Sequence, residues 1–293
     1  GDDTLLGGSG ADLLVGNSGD DQLAAAAGSD RLYGGSGSDQ LDGGAGNDLV
    51  RGQAGDGDWL TGGNGNDTLR GGTGTDFVIE GGDLDFVLTS TSLVGRGNDS
   101  LLEIEGVELT GGDSNNSIDA TTAVVPVTLV GEGGDDTLRG GGGDDVLEGL
   151  AGDDLLHGGA GVDRALGEGD VDWTLSDVAL DGDGTDSLVS IEAVAVIGGN
   201  GDNLLDATGF SGNVTLVGGR GNDTLRGGSG NDSLDGGAGD DRIAGHDGAD
   251  RANGGSGDDV LLGLSGNDTL LGGSGVDSIL GGDGDDTIKG QAG

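Results

Sequence analysis

Cysteine is absent from this 293-residue chain, so neither disulfides nor thiolate metal sites hold it together. Aromatic residues make up only 2% of it, which excludes a thick, aromatic-rich core. Basic residues are scarce as well: 11 Lys and Arg stand against 55 Asp and Glu, a net charge of −44. Nucleic acid and anionic membrane surfaces both require a basic footprint, so the charge disfavours either as a partner and favours a cationic one. No run of 18 apolar residues occurs, which argues against membrane insertion, and the opening GDDTLLGG has no charged-then-apolar leader pattern. The chain also lacks Met and opens and closes inside a repeat, which reads as a piece of a longer protein.

Glycine, by contrast, fills 74 positions, and it recurs with a period. GGRGNDTLR (218–226), GGSGNDSLD (227–235) and GGAGDDRIA (236–244) follow one another without a gap. Asp keeps the same interval of nine through Asp3, Asp12, Asp21, Asp30, Asp39 and Asp48, takes one ten-residue step to Asp58, and continues through Asp67, Asp76 and Asp85. The series resumes as Asp136, Asp145, Asp154, Asp163 and Asp172, and again as Asp223, Asp232, Asp241, Asp250, Asp259, Asp268, Asp277 and Asp286. Two residues after most of these stands an apolar residue, as in Leu14, Leu23, Val50, Leu138, Ile243 and Leu270. The unit is G-G-x-G-x-D-x-U-x, with U apolar.

Nine is neither a helical nor a simple strand period, and three Gly per unit would cost a helix roughly 1 kcal/mol each. The first six positions therefore read as a tight turn in which Gly supplies positive φ, and the last three as a short strand from which only U points inward. Two units per coil give two facing sheets with a turn at each edge. The expected fold is all-β, a right-handed parallel β-roll or β-solenoid continuous over 1–293.

Such a roll lacks stability of its own. Burying one Leu contributes roughly 2 kcal/mol, whereas ordering nine residues costs on the order of 10 kcal/mol, and the acidic residues repel one another. Each turn, however, brings an Asp carboxylate and several main-chain carbonyls to one edge, where the next coil brings another set. Hard oxygen donors in a flexible loop suit Ca²⁺ better than Mg²⁺ or Zn²⁺. Close to one ion per turn would supply about 40 positive charges, and metal binding and folding would be one event.

These nonapeptides resemble the RTX (repeats-in-toxin, hemolysin-type) calcium-binding repeats over about 1–85, 131–172 and 218–293. The resemblance implies a parallel β-roll with Ca²⁺ between turns, the turn Asp series and turn carbonyls as ligands, and secretion followed by folding in extracellular calcium. Departures mark weaker places. Ala25 and Ala26 stand where Gly is expected beside Asp30, Gly57 is an insertion before Asp58, and Asp83 and Asp170 replace the third Gly ahead of Asp85 and Asp172. At Ala165, Thr174 and Ala252 the inward file is thin or polar.

The segments 86–130 and 173–217 interrupt the arrays and are copies of each other at an offset of 87 residues: SLLEIEGVELTGG (100–112) matches SLVSIEAVAVIGG (187–199). Asn116 and Asn203 replace the turn Asp in them, so these coils are expected to be metal-free or weakly occupied, with β-branched patches such as VAVI (194–197) adding apolar burial. They read as wider solenoid coils, a β-hairpin excursion being the alternative. Among the remaining residues that could carry chemistry, His157 and His246 read as exposed surface histidines, and Glu105 and Glu192 as structural residues rather than a hydrolytic acid pair. Trp59, Trp173 and Phe86 read as packing at irregular coils rather than a sugar platform, and the x positions are too irregular for an ice-binding face.

No active-site constellation emerges, and the chain does not read as an enzyme. The expected function is a calcium-binding structural roll of a secreted or cell-surface protein, such as an adhesin, surface-layer or extracellular-fibre module, capable of self-association into fibres or a lattice. The alternative is a folding and secretion module of an exported enzyme or toxin.

Overall fold

A computed structural model describes residues 1–292. Among them are 33 β-strands and no helix. The chain divides into two compact units, Gly1–Val146 with Gly159–Gly161, and Leu147–Gly158 with Val162–Gly293.

In the first unit, Thr4–Ser9, Gln22–Ala27, Gln40–Ala45, Trp59–Asn64 and Phe77–Gly81 form one parallel ladder. Leu13–Ser18, Arg31–Ser36, Leu49–Ala54 and Thr68–Thr73 form the other. Pairs such as Leu5↔Leu23 and Leu14↔Leu32 are 18 residues apart, so two nonapeptides make one coil. The second unit repeats the plan, with Leu216↔Leu234 and Ala252↔Leu270 on one sheet and Leu225↔Ile243 and Leu261↔Ile279 on the other. This is the parallel β-roll the repeat predicts.

Most strands of the regular coils are six residues long rather than three, while Thr137–Arg139, Leu155–His157 and Thr224–Arg226 keep to three. Arg31–Ser36 alternates exposed and buried so that both Leu32 and Gly34 face inward. The strand thus runs on through the first two glycines and the turn shrinks to three residues, because extended backbone at those glycines gains ladder hydrogen bonds that a longer turn would forgo. The inward file is aliphatic and tightly buried: Leu32, Val50, Leu60, Leu69, Leu225, Leu261 and Leu270 are wholly inaccessible, as are the thin positions Ala165 and Ala252.

The inserts carry both of the forms that their sequence allows. Register steps widen to 20 residues at Val107↔Val127 and Val194↔Val214, and the strands Gly106–Gly112 and Val127–Gly133 lengthen to seven, which is the wider coil. The stretch before them departs from that reading. Phe86–Thr89, Ser92–Val94 and Asn98–Leu102 form an antiparallel meander, matched in the second unit by Trp173–Ser176, Ala179–Asp181 and Thr185–Val189. Its outer strands join the parallel sheet, Asn98–Leu102 beside Thr68–Thr73 and Phe86–Thr89 beside Ser117–Thr122. The meander inverts the expected alternation: Phe86 and Trp173 point into the core, while Val87 and Thr174 face solvent. Thr174 is therefore not part of the inward file, and its place is taken by the indole of Trp173.

Candidate metal centre

The turn is built from three glycines with different tasks and one aspartate with two. In most units the third Gly takes positive φ, as at Gly28 with φ 148°. The second position of most units also lies at positive φ, but within reach of other residues: Asn17, Ala26, Gln53, Glu132, Leu150, His246 and Leu264 occupy it at φ 66–92°. In most units the first Gly leaves space that a side chain would fill, Ala25 being an exception. A Cβ on Gly43 would stand 2.8 Å from Asp48 Oδ2 and 2.9 Å from the Gly62 carbonyl oxygen, and Gly16, Gly236 and Gly254 are crowded by the same two kinds of oxygen. A carboxylate oxygen and a carbonyl oxygen of the next coil therefore converge on the small volume left by a missing side chain.

The two oxygens of each Asp behave differently. Oδ1 accepts the N–H of the Asp one coil earlier: Asp21 N–H to Asp39, Asp39 to Asp58, Asp223 to Asp241 and Asp250 to Asp268, at 2.8–2.9 Å. Oδ2 has no hydrogen-bond partner in Asp21, Asp30, Asp39, Asp48, Asp58, Asp67, Asp76, Asp223, Asp241, Asp250, Asp259 and Asp268, all at most 4% exposed. A buried acceptor without a donor costs roughly 1–3 kcal/mol, more for a charge. Burial, followed by repulsion from neighbouring carboxylates, pushes Asp58 up to about 6 and Asp67, Asp241 and Asp250 up to about 7, against the lowering effect of the donated N–H. Such an array demands cations between coils. Among the described residues no three His, Cys, Asp or Glu side chains converge as a metal cluster, and the oxygens that do converge are one carboxylate and main-chain carbonyls. That set fits Ca²⁺, which would bring positive charge and take the unpartnered oxygens as ligands.

The Asp series does not behave uniformly. Asp136, Asp154 and Asp163 are buried like the regular members. Asp3 is exposed and Asp12, Asp277 and Asp286 are half-buried, in coils with a neighbour on one side. Asp30 keeps the regular arrangement despite Ala25 and Ala26, accepting from Asp12 N–H. The insertion at Gly57 is absorbed by positive φ, and Asp58 stays in line. Asp85 and Asp172, by contrast, are exposed and accept from Ser117 and Leu204 N–H outside the buried file, because the meander that follows them turns the chain the other way. At Asp145 and Asp232 both oxygens are taken, by Val127 and Gly141 N–H and by Val214 and Gly228 N–H respectively.

The Asn coils are satisfied without any ion. Asn116 Oδ1 accepts from Gly112 N–H while its Nδ2 donates to Asp83, and Asn203 does the same with Gly199 and Asp170. The amide supplies the donor that a carboxylate lacks, and Asp83 and Asp170, replacements for the third Gly, are its acceptors.

Several participants escape the nonapeptide pattern. Asp99 and Asp186, on the last meander strand, are buried and accept Asp67 and Asp154 N–H, so they hold the place that spacing assigns to Asp85 and Asp172. Glu105 and Glu192 use their longer arms to accept Asp76 and Asp163 N–H, which makes them members of the ladder. A second, exposed ladder runs in the opposite sense at the position before the turn Asp: Asp2 accepts from Asp20, Asn222 from Asp240 and Asp240 from Asp258. Its signal, Asn or Asp in GND and GDD, is visible in the sequence. His157 and His246 are half-buried rather than exposed, His157 on a strand paired with Val189 and His246 at a positive-φ second position. Trp173 and Phe86 are buried, while Trp59 stacks on Phe77 with ring centroids 4.9 Å apart.

No curated protein sequence matches the chain. A family model described as the RTX calcium-binding nonapeptide repeat (4 copies) matches residues 1–32, 25–57, 55–87, 128–172, 208–243, 235–270, 244–279 and 271–293. With well over half its length matched, and with the parallel roll and the Asp turns in place, the chain belongs to the RTX calcium-binding nonapeptide repeat family.

Proposed function

We propose that the chain is a structural segment of a secreted or cell-surface protein, an adhesin, surface-layer or extracellular-fibre module, which folds and stiffens on meeting extracellular calcium. The observation that supports this reading is the file of buried Asp Oδ2 atoms without partners, repeated coil after coil. At low calcium those carboxylates repel one another and the glycine-rich chain stays extended, because one Leu per nonapeptide cannot offset the entropy of ordering it. With calcium, ligand oxygens from successive coils are held together and the charge of −44 is largely cancelled. The ligands in this reading are the buried members of the Asp series with the first-Gly carbonyls facing them. Far-UV circular dichroism during a calcium titration, with magnesium as control, is the test. A coil-to-β transition with calcium alone is expected, and a full β spectrum in chelator would overturn the proposal.

A further inference from the structure

The two inserts are near copies, yet the first holds an arginine where the second holds an aspartate, and that exchange falls beside a turn that gathers three buried carboxylates. In the first unit, Asp67, Glu80 and Asp99 are at most 5% exposed. Asp67 N–H donates to Asp99 Oδ1, and Asp67 Oδ2 has no partner. Glu80 stands in the first-Gly position of its unit. Its Oε1 accepts the N–H groups of Gly62 and Gly63 at 2.7 and 2.8 Å, so its carboxylate lies against the turn that ends at Asp67. Among the described residues, the cation that reaches this carboxylate is Arg96, with Nε 3.9 Å from Glu80 Oε2. The guanidinium is anchored by donating from Nε, at 2.7 Å, and from Nη2 to the carbonyl of Gly81.

In the second unit, 87 residues on, Gly167 replaces Glu80 and Asp183 replaces Arg96. The space over Gly167 is filled by the ring of Trp173, 2.8 Å from where a Cβ would stand. Both the internal carboxylate and its tethered cation are thus missing there.

We infer that Arg96 is a covalently held counter-ion that does at the Glu80 turn what a divalent ion does between regular coils, so that the first unit folds at lower calcium than the second. The inference rests on the calcium-folding reading above. The geometry supports it in two ways. A guanidinium carries its charge at every accessible pH and requires no free ligand concentration. Its anchor on the Gly81 carbonyl also holds it to the main chain next to Glu80, the residue in the first-Gly position.

Each unit contains a single tryptophan, Trp59 in the first and Trp173 in the second, so the full chain reports on both. Calcium titrations of the W173F chain, read through Trp59, and of the W59F chain, read through Trp173, give the two midpoints separately. The expected result is a Trp59 midpoint at least threefold lower in calcium than that of Trp173. R96Q should raise the Trp59 midpoint severalfold, or abolish the transition, while the Trp173 midpoint stays put; R96K should restore most of the shift. Coincident midpoints, or an R96Q effect that is nil or equal in both units, would overturn the inference while leaving calcium folding intact. If both tryptophans are already in folded environments in chelator and ignore calcium, the calcium reading fails, and this inference with it.

Discussion

The regular coils and the insert coils solve one problem by opposite means. Between Asp223 and Asp268, each nonapeptide buries one aliphatic side chain and all but the Asp232 unit leave a carboxylate oxygen without a donor. Between Val107 and Leu129, strand after strand buries two, Val107 with Leu109, Ile118 with Ala120 and Val127 with Leu129, and the turn amide of Asn116 both donates and accepts. Apolar area and bound cation are thus interchangeable stabilisers of the same roll: where a coil has little of the first, its turn chemistry calls for the second.

Chelation tests the comparison most severely. Removing calcium should abolish hydrogen-exchange protection at the regular amides of Asp241, Asp250 and Asp259, while the ladder amides of Leu109 and Leu129 lose theirs last. Equal loss everywhere would erase the distinction. Next in size, Asp259→Asn should make a regular coil resemble an insert coil. Its Oδ1 still accepts from Asp241 N–H, but the charge is gone. Stability in calcium should fall by about 1–3 kcal/mol, and stability in chelator should rise; a fall in both, measured by urea titration, would mean that the undonated carboxylate oxygen does not destabilise the metal-free fold. Calorimetry on the same variant should show weaker binding at neighbouring turns too.

The reverse exchange, Asn203→Asp, should cost about 1–2 kcal/mol, because it replaces the donor Nδ2 with an oxygen facing Asp170 Oδ1, now 3.3 Å from that nitrogen. The loss should shrink as calcium rises; a loss indifferent to calcium would show that this turn cannot be converted. The smallest effect is that of pH. The buried carboxyls at Asp58, Asp67, Asp241 and Asp250 lie above the ordinary carboxylate range when folded. Their protonation therefore favours the metal-free fold below about pH 4, and that contribution is lost as pH rises through about 6 to 7. In chelator, far-UV circular dichroism should show more β structure at pH 5 than at pH 8. In calcium, acidification should raise the midpoint, since protons and metal compete for the same oxygens.

The period of nine made the coil, the inward file and most of the buried Asp ladder legible, because each depends on residue type at fixed spacing. What remained hidden depended on chain direction. The meander after Asp85 reverses the strand, so Asp99 reaches the ladder from 32 residues beyond Asp67 instead of 18, and Phe86 rather than Val87 turns inward. No periodicity encodes a reversal. Glu105 was visible as a duplicated residue, but its role follows from an arm one methylene longer reaching a distant N–H. The repeat places the first Gly in the turn for its conformation, whereas in most units it leaves room for two oxygens that sequence alone does not bring together.

The paired ladders also give the array a mechanical character. The buried carboxylates hold each coil to the one before it, and the exposed Asn and Asp side chains hold each coil to the one after it. Tension on a regular array would therefore be resisted by every junction in series, and a failing junction would free one coil of 18 residues, roughly 60 Å of extended chain. Stretching in calcium should yield force peaks spaced by that length, each peak a fuse that gives way alone and can reset when the load is removed.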